Sequence, residues 1–318
     1  MSIFNTVLNT TAIMLTLMAV GYLFGRLKLV GERAGRDLAT LEVRLFLPAY
    51  LFVMLAQNVV PSKISENVEF LLWGCVFLAV MAVVSYVASR IIPGDKLFKI
   101  MLFYILLYPN FGYFGYPVIE AAFGREALAQ YIIYVLPLNI AVYTHGSFLL
   151  SSAGTKAEGG KSKFSAKNLK GLPWEVLISV ALGIAVGLSG LKLPGFVYDL
   201  LNFTGACMSP LSMLLAGIIL SALPLRKLFS SLSAYFVNSL KLLVLPALCG
   251  VILYFAGVRG MFLAFPVVIT SLPVGMNVVI FSKPDRPDYV STGVTCFISY
   301  IPALLTVPAV IWILSLIM

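Results

Sequence analysis

Charged residues are scarce in this sequence. Only 11% of its 318 residues are Asp, Glu, Lys or Arg, whereas 60% are hydrophobic and the mean hydropathy is +1.00. Soluble globular domains contain about 25% charged residues. The composition therefore excludes a soluble enzyme, a nucleic-acid-binding protein and a disordered chain, and it predicts an integral membrane protein surrounded by lipid.

Histidine and cysteine are also rare. There is one histidine, and the four cysteines all lie in apolar stretches without a Cys-x-x-Cys pair. Such cysteines are most simply core residues, a single histidine cannot supply a His-rich zinc site, and no P-loop is present. We therefore expect no metal site, no bound cofactor, no enzymatic activity and no ATP-driven transport by this chain alone.

The apolar stretches are long enough to cross a membrane as helices. A spanning helix needs about 20 apolar residues, and its backbone groups can be satisfied in lipid only within the helix. Ten predicted spans, numbered in chain order, cover residues 2–25, 45–62, 70–89, 100–119, 127–155, 173–191, 200–225, 228–258, 260–282 and 289–318. The first has no basic residue before it, so we expect it to be a retained span rather than a signal peptide.

The positions of the basic residues predict the orientation of the chain. Sixteen of the 22 lie in the loops after spans 1, 3, 5, 7 and 9, and four lie in the loops after the even-numbered spans. Basic residues concentrate in cytoplasmic loops. We therefore expect an integral protein of the plasma or inner membrane with both termini outside the cytoplasm.

The sequence divides into two related halves. Residues 151–172 are rich in Gly, Ser and Lys and have no apolar periodicity, which predicts a cytoplasmic linker between residues 1–150 and 173–318. Weak matches between the halves recur at offsets of 162 to 165, among them Gly21-x-x-x-Gly25 with Gly183-x-x-x-Gly187. With five spans in each half, the second half must insert upside down relative to the first. The sequence thus predicts an inverted repeat, the arrangement typical of secondary transporters.

Spans 4 and 9 contain residues that break helices. In span 4 these are Pro109, Asn110, Gly112, Gly115 and Pro117, and in span 9 they are Pro273, Gly275 and Asn277. Each proline removes a backbone donor, and interrupted helices are tolerated in a membrane only where they line protein or a water-filled cavity. We expect the two breaks to cross near the axis that relates the repeats. The simpler alternative is a pair of kinks that help the helices pack.

The breaks also predict a binding site for a small organic anion. The amino ends of half-helices carry partial positive charge suited to a carboxylate, and the two asparagine side chains can both donate and accept. The predicted substrate-binding residues are Tyr108, Pro109, Asn110, Gly112, Pro117, Lys241, Pro273 and Asn277.

A few ionisable residues lie within or beside apolar spans. Lys241 in span 8 either contacts an anionic substrate, occupies a coupling-cation position, or extends to the cytoplasmic interface. Glu120 and His145 are candidates for proton coupling. Their simpler roles are an interfacial pair with Arg125 for Glu120 and a structural hydrogen bond for His145. Glu42 and Arg44 are expected to pair locally or to face the cytoplasmic boundary.

These motifs carry a resemblance to the auxin efflux carrier family, which includes plant PIN-type auxin exporters and prokaryotic organic-acid carriers within the bile acid:sodium symporter-like superfamily. The resemblance covers essentially the whole chain. It rests on residues 21–26 and 47–52, the Asn110 to Pro117 break, residues 240–246, and residues 273–277.

The resemblance implies an all-α membrane protein of ten transmembrane helices, with broken helices 4 and 9 crossing. It further implies a scaffold of spans 1, 2, 6 and 7, a transport domain of spans 3–5 and 8–10, and a homodimer. The expected function is secondary or facilitative transport of a small organic anion, a carboxylate or auxin-like acid, by an elevator-type motion. Coupling to H⁺ or Na⁺ stays open. The alternatives are a sodium-coupled symporter of the bile-acid type and a membrane receptor that binds a ligand without moving it.

Overall fold

The computed structural model describes residues 2–151, 173–223, 231–280 and 287–318, and this part of the chain is all-helical with no strand. The helices of the first half are α1 (Ile3–Arg26), α2 (Glu32–Leu41), α3 (Leu47–Asn58), α4 (Ile64–Ile91), α5 (Lys96–Leu107), α6 (Gly115–Tyr134), α7 (Leu136–Ala141) and α8 (Ser147–Ser151). Those of the second half are α9 (Trp174–Ser189), α10 (Gly195–Ala206), α11 (Met208–Ser221), α12 (Leu232–Ser239), α13 (Leu245–Phe255), α14 (Met261–Ser271), α15 (Asn277–Ile280) and α16 (Pro287–Ile317). The predicted linker lies outside the described residues except for Ser151.

Length and apolarity identify six helical segments in the described residues that can cross a membrane. They are Ile3–Arg26, Asp37–Asn58, Pro61–Ile91, Gly195–Ser221, Leu232–Phe255 and Thr292–Ile317. A seventh is formed by the pair Gly115–Tyr134 and Leu136–Leu150, which is bent by 47°. Two further apolar helices, α9 and α14, are shorter than a full crossing. An all-helical membrane protein is thus confirmed, while the arrangement of ten spans stays a prediction.

One glycine explains why the region after the first break differs from a single straight helix. Gly124 inside α6 has φ 85° and ψ 178°, so α6 consists of two helices joined at this residue. A positive φ is strained for residues with a β-carbon, and glycine adopts it without that cost. The chain therefore changes direction between Phe123 and Arg125, as expected if spans 4 and 5 are separate.

Three helices widen locally into π-helical turns, at Glu42–Phe46, Val142–Gly146 and Leu240–Val244. Two of these turns come just before a proline, Pro48 and Pro246. Because proline has no backbone N–H, the preceding turn loses an ordinary helical hydrogen bond. Leu47 N–H and Leu245 N–H then donate five residues back, to the carbonyls of Glu42 and Leu240.

Close backbone contacts join α1 to α11 and α9 to α3. A β-carbon on Gly21 would collide with the Leu214 carbonyl, and one on Gly183 would lie 2.9 Å from the Phe52 carbonyl oxygen. Residue numbers 21 and 183 differ by 162, as do 52 and 214. Small residues let helix backbones approach each other in lipid, where no hydrophobic force drives association. The two helix pairs are therefore packed through equivalent positions.

Buried aromatic residues concentrate around the broken helices. Among the largest side chains with almost no exposure are six tyrosines, Tyr104, Tyr108, Tyr116, Tyr131, Tyr134 and Tyr300. Their rings pack against one another and against Phe265; for example, the Tyr131 and Phe265 ring centroids are 5.3 Å apart. Aromatic pairs of this kind add about 0.5–1.5 kcal/mol beyond area burial. The broken segments thus lie inside protein and not against lipid.

The glycine contacts can be tested by adding a single methyl group. In Gly217→Ala the new β-carbon would collide with the Met18 carbonyl and lie 2.5 Å from the Tyr22 backbone nitrogen. Overpacking of this kind costs about 1–3 kcal/mol, so we expect a clearly lower thermal unfolding midpoint in detergent. Gly250→Ala is the matched control, because its nearest neighbour, Val267 Cγ2, is 3.5 Å away. Equal midpoints for the two variants would contradict the packing described here.

Candidate functional site

The two broken segments meet in the interior of the protein. The break between α5 and α6 covers residues 108–114, and the break between α14 and α15 covers residues 272–276. Pro109 and Val274 form an isolated antiparallel bridge, and Asn110 N–H donates to the Pro273 carbonyl at 2.9 Å. Backbone groups freed by the breaks are therefore satisfied across the two segments.

A glycine makes this close approach possible. A β-carbon on Gly275 would lie 2.7 Å from the Tyr108 carbonyl oxygen and 3.1 Å from that of Pro109. Both atoms belong to the backbone of the opposite break and cannot rotate away. Gly275 is thus a position where any side chain would push the two breaks apart.

Asn110 holds the first break together and is not an open ligand. Its side chain is 3% exposed; Nδ2 donates to the Tyr300 hydroxyl at 2.7 Å, and Oδ1 accepts from Phe114 N–H at 3.3 Å. Its carbonyl accepts from Gly115 N–H at 3.0 Å. Asn110 therefore already binds the N–H groups of Phe114 and Gly115, where α6 begins. A substrate would have to displace these bonds to use them.

The second break is held by α16 and keeps an unused acceptor. Val274 N–H donates to Ser299 Oγ at 3.0 Å, and the Tyr300 hydroxyl donates to the Val274 carbonyl at 3.3 Å. The Asn277 side chain is hydrogen-bonded to Tyr143, yet its buried Oδ1 has no hydrogen-bond partner among the described residues. Of the two predicted asparagines, Asn277 is thus the one with unused hydrogen-bonding capacity.

Lys241 is completely buried in the π-helical turn Leu240–Val244. Its exposure is 0%, and in the described part of the chain Nζ has no hydrogen-bond partner. The turn packs against α14 and α16, the helices that lead into and anchor the second break. The interpretation that this side chain extends to the cytoplasmic interface is therefore wrong. A buried, unpaired ammonium group is costly, so it marks a position suited to an anionic partner.

The remaining predicted residues lie on either side of the crossing. Tyr108 is buried and its hydroxyl is 3.0 Å from Nδ1 of the exposed His145. Gly112 lies next to the Tyr116 ring. A β-carbon added to Gly112 would be 3.8 Å from the nearest atom of that ring. Glu120 is exposed and lies 3.5 Å from Arg125. Both simpler readings, the structural histidine and the interfacial ion pair, therefore match the observed contacts.

A cavity of about 380 Å³ lies next to the first break. Its walls come from α1, α3, α10, α11 and the start of α6, and they include Pro117, Glu120 and Arg125. Tyr50, on α3, lines the cavity and stacks on Tyr116 with ring centroids 5.3 Å apart. The cavity thus lies between helices of the predicted scaffold and the broken helix of the predicted transport domain.

The structure corrects the expectation for Glu42 and Arg44. Arg44 does not pair with Glu42; its Nη1 lies 2.6 Å from Oε1 of Glu175 on α9. Glu42 is 0% exposed, and neither carboxylate oxygen has a hydrogen-bond partner among the described residues. The only sequence signal was one acid in an apolar stretch six residues before Pro48. That signal could not show which side of the helix faces the interior.

Comparison with known proteins gives consistent results. A family model described as membrane transport protein, the auxin efflux carrier-like family, matches residues 6–311. An uncharacterised transporter of Methanocaldococcus jannaschii is 26% identical over 316 residues, covering 96% of this chain and 98% of that protein. An uncharacterised transporter of Methanothermobacter thermautotrophicus is 25% identical over 304 residues, covering 94% and 96%. The resemblance inferred from the motifs is confirmed.

The role of Asn110 can be tested through its bond to Tyr300. Asn110→Ala removes two buried side-chain hydrogen bonds, each worth about 0.5–1.5 kcal/mol, and leaves the Tyr300 hydroxyl without its donor. Tyr300→Phe removes the same bond from the other side. Because the residues share one contact, we expect the two losses of stability to be non-additive by at least about 0.5 kcal/mol in a double-mutant cycle.

The measurement is the thermal unfolding midpoint of each variant in detergent. Tyr235→Phe is the control, since that ring is 40% exposed and should tolerate the change. Strictly additive effects of the Asn110 and Tyr300 changes would show that the 2.7 Å contact contributes nothing.

Proposed function

The chain belongs to the membrane transport protein family, and from that premise we propose that it carries a small organic anion across the membrane by alternating access at the crossing of the two breaks. The observation that carries the proposal is the interior bridge between Pro109 and Val274, three residues from the unused oxygen of Asn277. The buried Lys241, on a turn packed against α14 and α16, adds an unpartnered basic group. Broken helices that meet inside a membrane protein are the usual setting of a transporter's substrate site.

The preference for an anion follows from one buried basic residue. Lys241 offers a buried ammonium group without a partner in the described residues, whereas the unused atom of Asn277 is an oxygen, which accepts from a hydroxyl group of the substrate and not from its carboxylate. A carboxylate would satisfy the ammonium through a charge-assisted hydrogen bond, which is stronger than a bond between neutral groups. Asn110 then acts by holding the break in shape, since both ends of its amide are already bonded.

The packing of the helices supports an inverted repeat of five spans each. Gly25 approaches the Ile218 carbonyl and Gly187 approaches the Ala56 carbonyl, with distances of 3.2 and 3.1 Å from the ideal β-carbon positions. The residue numbers of the two glycines again differ by 162, and so do those of the two carbonyl residues that they approach. In this arrangement spans 1, 2, 6 and 7 form the scaffold, and spans 3–5 and 8–10 form the moving domain.

The cavity beside Pro117 is then one end of the transport path. It lies between scaffold helices and α6, so a displacement of the moving domain along the scaffold would open or close it. With both termini outside the cytoplasm, Glu120 and Arg125 belong to the extracytoplasmic side. Assembly as a homodimer and coupling to H⁺ or Na⁺ complete the proposal.

The first test measures transport of a bound acid. A thermal-shift screen of short-chain and aromatic carboxylates in detergent identifies a stabilising ligand, because a ligand that binds the native state raises its stability. The same ligand, radiolabelled, is then followed into proteoliposomes. Lys241→Met should weaken binding by roughly ten- to a hundredfold, the loss expected for a charge-assisted bond, and Asn277→Ala by up to about tenfold, the loss expected for a bond between neutral groups.

Lys63→Met is the matched control, because Lys63 pairs with Glu126 at an exposed position. It should bind and transport like the wild type. Binding without flux in the wild-type protein would support a receptor instead, and uptake that requires sodium would support a symporter of the bile-acid type.

The second test restricts the motion between the two domains. In a background without the native cysteines, Tyr50→Cys and Tyr116→Cys place one thiol on the scaffold and one on the moving domain. The ring centroids of these two tyrosines are 5.3 Å apart. A short thiol-reactive cross-linker should stop flux, and a cleavable version should restore it after reduction. Cross-linking Trp73→Cys to Phe262→Cys, whose rings are 5.4 Å apart within the moving domain, should leave flux intact. If the variant cross-linked between positions 50 and 116 transported the acid at an undiminished rate, alternating access by domain displacement would be contradicted.

A further inference from the structure

A buried acid lies in the π-helical turn that precedes Pro48, away from the groups assigned to substrate binding. Glu42 begins the π-helical turn Glu42–Phe46 and is 0% exposed. Both of its carboxylate oxygens lack hydrogen-bond partners among the described residues. An ionised carboxylate in such a place costs several kcal/mol, and a buried charge is normally paired or bound to a ligand.

The surroundings of Glu42 contain more acceptors than donors. Tyr113 and Tyr143 lie close enough to interact with it electrostatically, and their hydroxyl oxygens are 3.2 Å apart. Tyr143 is also hydrogen-bonded to the side chain of Asn277, whose Oδ1 is a further unused acceptor in the described chain. Three oxygens here, the two of Glu42 and Oδ1 of Asn277, have no donor among the described residues, which leaves room for a proton on Glu42.

Among the side chains that the structure describes, the elements packed against the turn bring no other partner for Glu42. α9 contributes Glu175, which is bound to Arg44, and α10 contributes Tyr198 and the exposed Asp199. The described residues of α11 include no titratable side chain, and α3 contributes Tyr50, which stacks on Tyr116. The sequence of α2 carries Glu32, Arg33, Arg36 and Asp37.

We propose that Glu42 is a proton-binding site of the carrier, protonated in this conformation and deprotonated when the moving domain exposes it to water. The step forms or breaks a single O–H bond, and the proton passes between Glu42 and solvent water. That this proton is the coupling ion rests on the proposed transport function. That Glu42 carries a proton does not, because the protein has this property without substrate.

The geometry favours a proton over sodium. A cation such as Na⁺ needs several oxygen ligands at once, whereas a proton needs one oxygen. Protonation also removes the charge from a carboxylate that has no partner among the described residues, and the neutral acid costs less to bury.

The test compares the pH dependence of stability in detergent without any substrate. A glutamate in an unfolded chain ionises around pH 4.3, so unfolding of a protein with protonated Glu42 releases a proton above that pH. Stability must then fall as the pH rises, and the unfolding equilibrium shifts by up to about tenfold per pH unit. Glu42→Gln mimics the protonated form and should lose this dependence while unfolding at a higher temperature than the wild type in alkaline buffer.

Glu126→Gln is the control, because that acid is exposed and should keep the wild-type profile. A wild-type profile in Glu42→Gln would overturn the proposal. Stabilisation by sodium chloride over choline chloride that disappears in Glu42→Gln would overturn it as well, in favour of a sodium site. Infrared spectroscopy gives a second readout, because the carbonyl band of a protonated carboxylic acid should be present in the wild type and absent in Glu42→Gln.

The two proposals fail separately. If Glu42→Gln keeps the wild-type pH profile but acid flux depends on Lys241 and Asn277, the proton site is wrong and the carrier stands. If the proton signature depends on Glu42 but no acid is transported, the site stands and the transport proposal is wrong. Where both hold, flux in Glu42→Gln should no longer respond to an imposed pH gradient.

Discussion

Inside a bilayer, backbone amides and carbonyls have no water to bind, and this constraint governs the architecture. Proline and asparagine interrupt two helices, and the freed groups would be costly if each break stood alone. They are satisfied because the breaks face each other: Asn110 N–H binds the Pro273 carbonyl, and α16 supplies Ser299 to Val274. Each break is therefore stable only in the presence of the other.

The same scarcity of water makes buried ionisable groups without partners informative. Lys241 and Glu42 are both fully buried, lie in π-helical turns that precede a proline, and lack hydrogen-bond partners in the described residues. They belong to different parts of the molecule, since the turn of Lys241 packs on α14 and α16 and that of Glu42 on α9, α10 and α11. A protein that keeps two such groups apart holds one position suited to an anion and one suited to a proton.

How far the sequence can predict this structure depends on the range of each interaction. The breaks at Pro109, Asn110 and Pro273 can be predicted from the local sequence, because proline and glycine change the backbone wherever they occur. The contact of Asn110 with Tyr300 could not be foreseen, since the two residues are 190 apart in the sequence. Arg44 was assigned the wrong partner for the same reason, as Glu175 is 131 residues distant. The burial of Glu42 and Lys241 depends on which helix face turns inward, and composition carries no such information.

The π-helical turns determine those faces. An α-helix advances by 100° per residue, since it has 3.6 residues in each turn. A turn closed five residues back takes in one additional residue, so everything beyond it is rotated by about that angle relative to a continuous α-helix. In each of the helices at Glu42, His145 and Lys241, the part before the π-helical turn and the part after it therefore present different faces to the interior. A helical wheel drawn straight through residues 37–58 or 232–255 would put one half of the helix on the wrong side, and a single-residue deletion at the turn would reorient all that follows.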